Sequence, residues 1–164
     1  MTMEQFHTDK TMILTFYDYD ACFSHYTGVI RHLRQNILYG KANIAKPTML
    51  LAVIGLIDSN WIRGNSIVLT VEIENRYSDL YHQYDPSKEA THVCYPFFHL
   101  HSDGFWHISW IGDEREYINS PSRKFLVDHI DHVSLDDDLW VLLQHPDYRH
   151  RMMDFIIREK LSVN

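Results

Sequence analysis

The sequence predicts an α+β fold, a mostly helical domain with a small β-sheet or hairpin. Apolar residues recur at helical spacing over several long stretches. One central segment, residues 95–110, instead alternates apolar with polar residues on either side of a turn. The chain has 164 residues, of which 45% are hydrophobic, so it is long enough to bury one core. A single domain over residues 1–164 is therefore expected.

The N-terminal part is predicted to be helical. A long first helix is expected from about Tyr17 to Leu38, because apolar residues recur there every three or four positions, and Gly40 would end it in a left-handed cap. Pro47 suits the first turn of a second helix, which spans Thr48 to Ile57. This second helix is apolar nearly all round, which indicates that it lies buried at the centre of the fold.

A short strand, a helix and a hairpin are predicted in the middle of the chain. Ser66 to Leu69 is the expected strand, and the hydroxyl of Thr70 would cap a helix that extends to about Tyr84. In the hairpin, Asp103-Gly104 forms the turn between two aromatic-rich strands. Strand alternation would place His99 and His101 together on the face opposite the core.

The C-terminal third is predicted to hold further helices. Ser120 to Ser122 opens a short element. Ser134 is the expected cap of the next helix, with Asp136 to Asp138 in its first turn, where acidic groups complement the helix dipole. Pro146 would begin the last helix.

Charge is distributed unevenly along the chain. The formal net charge is −7, which argues against a nucleic-acid partner, since such domains normally carry a basic footprint. However, Ala21 to Ile57 contains no Asp or Glu, Ala90 to Ser102 is a second window without acids, and a basic group follows at Arg149 to Arg151. This segregation predicts one positive face on an acidic protein, with ordinary solvated surface as the alternative.

Three segments carry a family resemblance. They are Lys46-Pro47-Thr48-Met49-Leu50-Leu51, the stretch from Leu69 to Tyr77, and Pro96-Phe97-Phe98-His99-Leu100-His101-Ser102-Asp103-Gly104-Phe105-Trp106. In content and order they resemble the sulfur-binding domains of phosphorothioate-dependent, McrA-type restriction endonucleases. A looser match covers the C-terminal helices, so the resemblance extends from about Arg31 onward. The third segment is the most specific of the three.

The resemblance implies a DNA-binding domain that recognises phosphorothioate-modified double-stranded DNA in a particular base context, as the reader of a modification-dependent restriction system. The HNH nuclease of such enzymes would be a separate module of the full-length protein, so neither a catalytic residue nor a cofactor is expected in this chain. Sulfur is larger and easier to desolvate than the phosphate oxygen it replaces. An apolar socket therefore favours sulfur, because burying the oxygen unpaired costs about 1–3 kcal/mol.

The resemblance also implies the site residues. A sulfur pocket would be built from a proline near the start of a C-terminal helix, its neighbours and hairpin residues, which are here His99, His101, His145, Pro146, Tyr148 and Arg149. Contacts to the DNA backbone or bases are expected from Arg31, Arg34, Lys41, Lys46, Ser102, Asp103, Asn119, Ser120, Ser122 and Arg151. The chain departs from the family at His145, where some relatives are aromatic, and at His101, where Arg is frequent. A histidine rim predicts that binding tightens as the pH falls.

Two other classes of function stay open. The chain has 12 histidines, and His99 with His101 on one strand face would suit a metal, with His107, Asp128, His129 or His132 as a further ligand. The many tyrosines and tryptophans would equally suit a protein-interaction module. A loose His101, Asn119 and His129 pattern resembles an HNH nuclease, but nothing around it supports that chemistry.

The remaining features exclude several classes. No apolar stretch approaches the length that spans a bilayer, and the N-terminus lacks a signal pattern, so a cytoplasmic protein without a membrane partner is expected. Cys22 and Cys94 are expected to be buried free thiols. The sequence leaves open whether the chain is free-standing or cut from a longer nuclease.

Overall fold

A computed structural model describes residues 14–114 and 120–162. It confirms the mostly helical α+β class. In chain order the elements are α1 Tyr19–Arg31, β1 Ile37–Leu38, β2 Lys41–Ala42, α2 Ala45–Asp58, α3 Val71–Tyr84, α4 Cys94–His99, a 3-10 turn Leu100–Asp103, β3 Trp106–Trp110, α5 Arg123–His129, β4 Ile130–Leu135, α6 Asp137–Gln144, α7 Pro146–Ile156 and a π-helical turn Ile157–Leu161. Within these described ranges, no helix is both long and apolar enough to cross a bilayer.

α2 is the central helix, as predicted. Every residue from Ala45 to Ile57 is buried, and α3, α4, α6 and α7 all pack against it. A helix that is apolar on every side is stable in water only when other elements surround it. Pro47 lies in its first turn, where the missing N–H of proline removes no helical hydrogen bond.

The predicted end of the first helix is wrong. α1 ends at Arg31, and Ile37–Leu38 pairs with Lys41–Ala42 as a two-stranded hairpin. Tyr39 and Gly40 form its turn with φ angles of 53° and 75°, so Gly40 serves a tight hairpin turn and does not cap the helix. The helical spacing extended to Leu38 only because Ile37 and Leu38 are apolar, yet both are exposed.

The predicted hairpin over residues 95–110 is also wrong in its first half. Cys94–His99 is a helix and Leu100–Asp103 a 3-10 turn, which ends at Gly104 with φ 92°. Only Trp106–Trp110 is a strand, and it pairs antiparallel with Ile130–Leu135. Pro96, Phe97 and Phe98 are all buried, which a short helix allows and the alternation of a half-buried strand does not.

The third and last helices begin as predicted. The side chain of Thr70 accepts a hydrogen bond from the Ile73 N–H at the start of α3, and Pro146 is the first residue of α7. The predicted strand over residues 66–69 is reduced to a single bridge between Ile67 and Val133. It is short because the chain turns directly into α3.

The predicted cap of α6 is wrong. Ser134 lies within β4, and Asp136 precedes the helix without a side-chain cap. Asp137 and Asp138 do occupy its first turn, where they complement the helix dipole as expected. Ser122, which was expected to open a short element, caps α5 by accepting a hydrogen bond from the Phe125 N–H.

Candidate nucleic-acid interface

The site residues divide between the two ends of α2. Lys46 lies at its N-terminal end and Asp58 at its C-terminal end. Their separation along the helix axis is about 18 Å, since each residue of a helix rises 1.5 Å. We call the two regions the hairpin end, around Lys46, and the socket end, around Asp58.

A buried ion pair anchors the hairpin end. The Nζ of Lys46 lies 2.8 Å from Oδ2 of Asp103 and 3.2 Å from Oγ of Ser102. The side chains of Lys46 and Asp103 are only 7% and 4% exposed. The other carboxylate oxygen of Asp103 accepts the Arg34 backbone N–H at 2.9 Å. Lys46 and Asp103, both expected at the DNA surface, therefore join α2 to the 3-10 turn and to the segment after α1.

His99 and His101, the two histidines of the predicted 95–110 hairpin, both lie at the hairpin end. The Ser102 hydroxyl donates to the carbonyl of His99 at 3.0 Å, and the ring of His99 lies 4.4 Å from the ring of Tyr95. The imidazole of His101 is exposed and lies within hydrogen-bond distance of the Phe98 carbonyl, at 2.7 Å. His99 is the last residue of α4 and His101 lies in the 3-10 turn, so the two rings do not share a strand face.

An open groove of about 470 Å³ lies beside the β1–β2 hairpin. Its lining residues are Thr91, His92, Tyr95, Ser120, Pro121, Ser122 and Arg123. The groove joins the hairpin through two side-chain hydrogen bonds, from Nδ2 of Asn36 to the hydroxyl of Tyr95 and from Nδ2 of Asn43 to Oγ1 of Thr91, both 3.0 Å long. Ser120 and Ser122, which are expected base contacts, are thus brought to the same end as His99.

Several cations lie around the hairpin end, among them Lys160, whose Nζ donates to the Arg31 carbonyl at 3.2 Å. The guanidinium of Arg31 lies 5.1 Å above the ring of Phe155, which leaves its charge near the surface. Lys41 is 3.7 Å from the carboxylate of the buried Asp85. The side chain of Arg34 is exposed and has no ion-pair or hydrogen-bond partner among residues 14–114 and 120–162.

The socket end is aromatic. The ring of Tyr148 stacks on Tyr19 at 5.5 Å and lies 5.9 Å from Phe23. The His145 ring lies 5.4 Å from Tyr19 and 5.3 Å from Tyr148. Pro146 follows His145 as the first residue of α7, and it is exposed. We call these five residues the aromatic socket.

Arg151 lies at the edge of the aromatic socket. The guanidinium of Arg151 lies 4.5 Å above Phe23 and 4.9 Å above Tyr148, and it is 3.7 Å from Asp20. The Tyr148 hydroxyl donates to Asp20 at 2.6 Å, and this hydrogen bond raises the pKa of Tyr148. The guanidinium of Arg149 donates hydrogen bonds to the carboxylate of Asp58 and to the carbonyl of Leu143.

The six predicted pocket residues therefore fall into two groups. His145, Pro146, Tyr148 and Arg149 belong to the socket end, whereas His99 and His101 belong to the hairpin end. Among the expected DNA contacts, only Arg151 joins the socket end, and Asn119 lies outside the described residues. Sequence reasoning missed Tyr19 as a socket residue. Its spacing of four residues from Phe23 places both on one helix face, but the apolar pattern of that helix predicts a core face and not a site.

The described side chains offer neither a cluster of metal ligands nor a reactive thiol. Across residues 14–114 and 120–162, no group of three or more His, Cys, Asp or Glu side chains is placed to hold a metal ion. Cys22 and Cys94 are buried and unpaired, as predicted. Burial raises the pKa of both thiols, that of Cys22 to about 12, which makes them poor nucleophiles at neutral pH.

Asp58 is expected to stabilise the socket end in a pH-dependent way. Its hydrogen bond with Arg149, 2.8 Å long, holds the pKa of the Asp58 carboxyl below its usual range. A lowered pKa in the folded state adds stability above the ordinary value of about 4, and this stability is lost as the pH falls through the folded pKa. We expect Asp58→Asn to reduce the free energy of unfolding by about 1 kcal/mol at pH 7 and by much less at pH 3.

Urea unfolding at both pH values measures this difference. Asp79→Asn is the matched control, because Asp79 is an exposed carboxylate on α3 with no ion pair in the described part of the chain. It should change stability little at either pH. An equal loss for Asp58→Asn at pH 7 and pH 3 would contradict the assignment.

Comparison with known proteins adds one match. A sequence model of the family described as "ScoMcrA-like, DNA sulfur-binding domain" matches residues 25–162. No curated protein matches the chain. The matched region contains all of α2, the β1–β2 hairpin and α7, whereas Tyr19 and Phe23 of the aromatic socket precede it.

Proposed function

Because the chain belongs to the ScoMcrA-like DNA sulfur-binding domain family, we propose that it reads phosphorothioate-modified double-stranded DNA for a modification-dependent restriction system. A DNA sulfur-binding domain binds its target and is not itself catalytic. Cleavage is assigned to an HNH nuclease module of the full-length protein, outside this chain. Family membership over residues 25–162 is the observation that carries the proposal.

The aromatic socket suits sulfur. The rings of Tyr19, His145 and Tyr148 pack on one another, and the exposed Pro146 lies next to His145 at the start of α7, so a ligand atom bound there would lose water against mostly apolar groups. Sulfur loses little free energy when it is removed from water, whereas burying a phosphate oxygen without a hydrogen bond costs about 1–3 kcal/mol. This difference corresponds to a preference for the sulfur duplex of roughly tenfold to a hundredfold. Arg151 at the edge supplies a cation for the phosphate charge.

We propose that the hairpin end contacts the same duplex at a point distant from the sulfur. Backbone contacts would come from Arg31, Arg34, Lys41, His99 and His101, and base contacts from Ser102, Asn119, Ser120 and Ser122. The two ends are about 18 Å apart along α2, roughly half of the 34 Å helical repeat of DNA. One duplex is therefore long enough to reach both.

The acidic net charge is compatible with this arrangement. No Asp or Glu occurs in residues 21–57, which include the hairpin and most of α2. The nearest acids are engaged, since Asp103 is paired with Lys46 and the buried Asp85 lies 3.7 Å from Lys41. The surplus of negative charge thus comes from other parts of the sequence, which supports a positive contact surface at the hairpin end.

Fluorescence anisotropy of the protein with two matched duplexes tests the proposal. One duplex carries a single Rp phosphorothioate and the other is unmodified. We expect at least tenfold tighter binding to the sulfur duplex, and weaker binding to both as salt rises, because phosphate contacts release counterions. Equal affinity across several base contexts would contradict sulfur reading. Absence of binding to either duplex would favour a protein-interaction module instead.

A further inference from the structure

The β1–β2 hairpin leaves both of its faces uncovered. Ile37 and Leu38 are neighbours on one strand, so their side chains point to opposite faces, yet they are 71% and 59% exposed. Tyr39 at the turn is 97% exposed. Three consecutive exposed apolar or aromatic residues are unusual on a folded surface and indicate a contact with a partner.

The turn of this hairpin places a tyrosine in an unfavourable backbone conformation. Tyr39 has a φ angle of 53°, a conformation that Asn or Gly adopts readily and that strains a tyrosine. An asparagine at this position would suit a two-residue turn better. A large ring held there, fully exposed and under strain, is best explained by a function of the ring.

The hairpin is nevertheless held firmly at its base. Asn43 N–H donates to the Asn36 carbonyl at 2.7 Å, and Gln35 Nε2 donates to the Asn43 carbonyl at 2.8 Å. The side chains of Asn36 and Asn43 bind the hydroxyls of Tyr95 and Thr91 in the groove. The exposed tip therefore projects from a fixed position next to the groove.

The charge around the hairpin identifies its partner as an anion. Arg34 precedes it with a guanidinium that has no partner in the part of the chain that the structure describes, and Lys41 lies on its second strand. The acid nearest to it, Asp85, is 4% exposed and is shared between Lys41 and Ser87. Two other exposed apolar residues, Trp61 and Val68, also lie near arginines, but acids accompany them: Glu72 lines the same pocket as Arg63, and Arg123 is paired with Glu74.

We propose that the hairpin enters the major groove of the bound duplex, where Tyr39 and the two apolar side chains contact base edges and Arg34 and Lys41 contact the flanking phosphates. The major groove is about 12 Å wide and admits a two-stranded ribbon. Apolar side chains in this groove contact the methyl group of thymine. The inference rests on the proposed function and adds a second, sulfur-independent contact to it.

Tyr39→Asn separates this role from a structural one. Asparagine favours the turn, so the thermal midpoint of unfolding should stay equal or rise. We expect affinity for the Rp phosphorothioate and unmodified duplexes to fall by about tenfold alike, with their ratio unchanged. Val71→Asn, which makes the same kind of change at a residue that is 67% exposed at the start of α3, should leave both affinities within twofold.

Replacing single thymines by uracil along the duplex locates the contact. For the wild-type protein, uracil should weaken binding at one or two positions several base pairs from the sulfur, and Tyr39→Asn should abolish that effect. Binding of Tyr39→Asn within twofold of wild type, or a loss of the sulfur preference alone, would overturn the inference. If wild type shows no preference for sulfur, the proposed function fails, while the uracil scan on unmodified DNA still tests the hairpin.

Discussion

Lys46→Met is expected to lower the free energy of unfolding by about 3–5 kcal/mol, because it leaves a buried carboxylate without its cation. The Asp103 side chain is only 4% exposed and lies 2.8 Å from the ammonium of Lys46. Methionine matches the length of lysine, so the loss reports the charge and not a cavity. Urea unfolding followed by tryptophan fluorescence at pH 7 measures it.

The double variant Lys46→Met with Asp103→Asn is the control. Asparagine keeps an oxygen that accepts the Arg34 N–H, and it removes the unpaired charge, so most of the lost stability should return. It also keeps the test usable if the single variant fails to fold. Normal stability of Lys46→Met combined with weaker DNA binding would show instead that Lys46 contacts DNA, as its place in the acid-free window predicts.

The sequence predicts the centre of the fold well. α2 is apolar on every side and begins near a proline. Together these two properties predict a helix that is buried at the centre of the fold. The segment from Cys94 to Asp103 is different. Phe98 and Leu100 are buried and His101 is exposed, as strand alternation requires, but Phe97 is buried as well, which fits a helix and not a half-buried strand. An alternating pattern at so few positions is not enough to predict a strand.

The candidate site was predictable as a set of residue types and not as an arrangement. The sequence shows that Lys46, Asp103 and Arg149 are charged, but it does not show which partner each one has. Lys46 and Asp103 engage each other, and Arg149 engages Asp58. These pairings depend on which ends of α2 meet the 3-10 turn and α7, and that information lies in tertiary packing.

The same packing decides how sulfur recognition is tested. A single pocket containing both His101 and Pro146 would lose sulfur preference when either is changed. In the structure these residues belong to opposite ends of α2, so their replacement should affect different quantities. The ratio of the affinities for Rp phosphorothioate and unmodified duplexes is the decisive measurement, because contacts shared by both duplexes cancel from it.

Pro146→Ala is expected to reduce that ratio by about tenfold or more, with little change in affinity for the unmodified duplex, because it removes the pyrrolidine from the aromatic socket. Alanine still allows α7 to begin there. His101→Ala should weaken binding to both duplexes equally, because it removes a contact to the DNA backbone that both duplexes share. Loss of the sulfur preference in His101→Ala, with Pro146→Ala unaffected, would place the sulfur at the hairpin end.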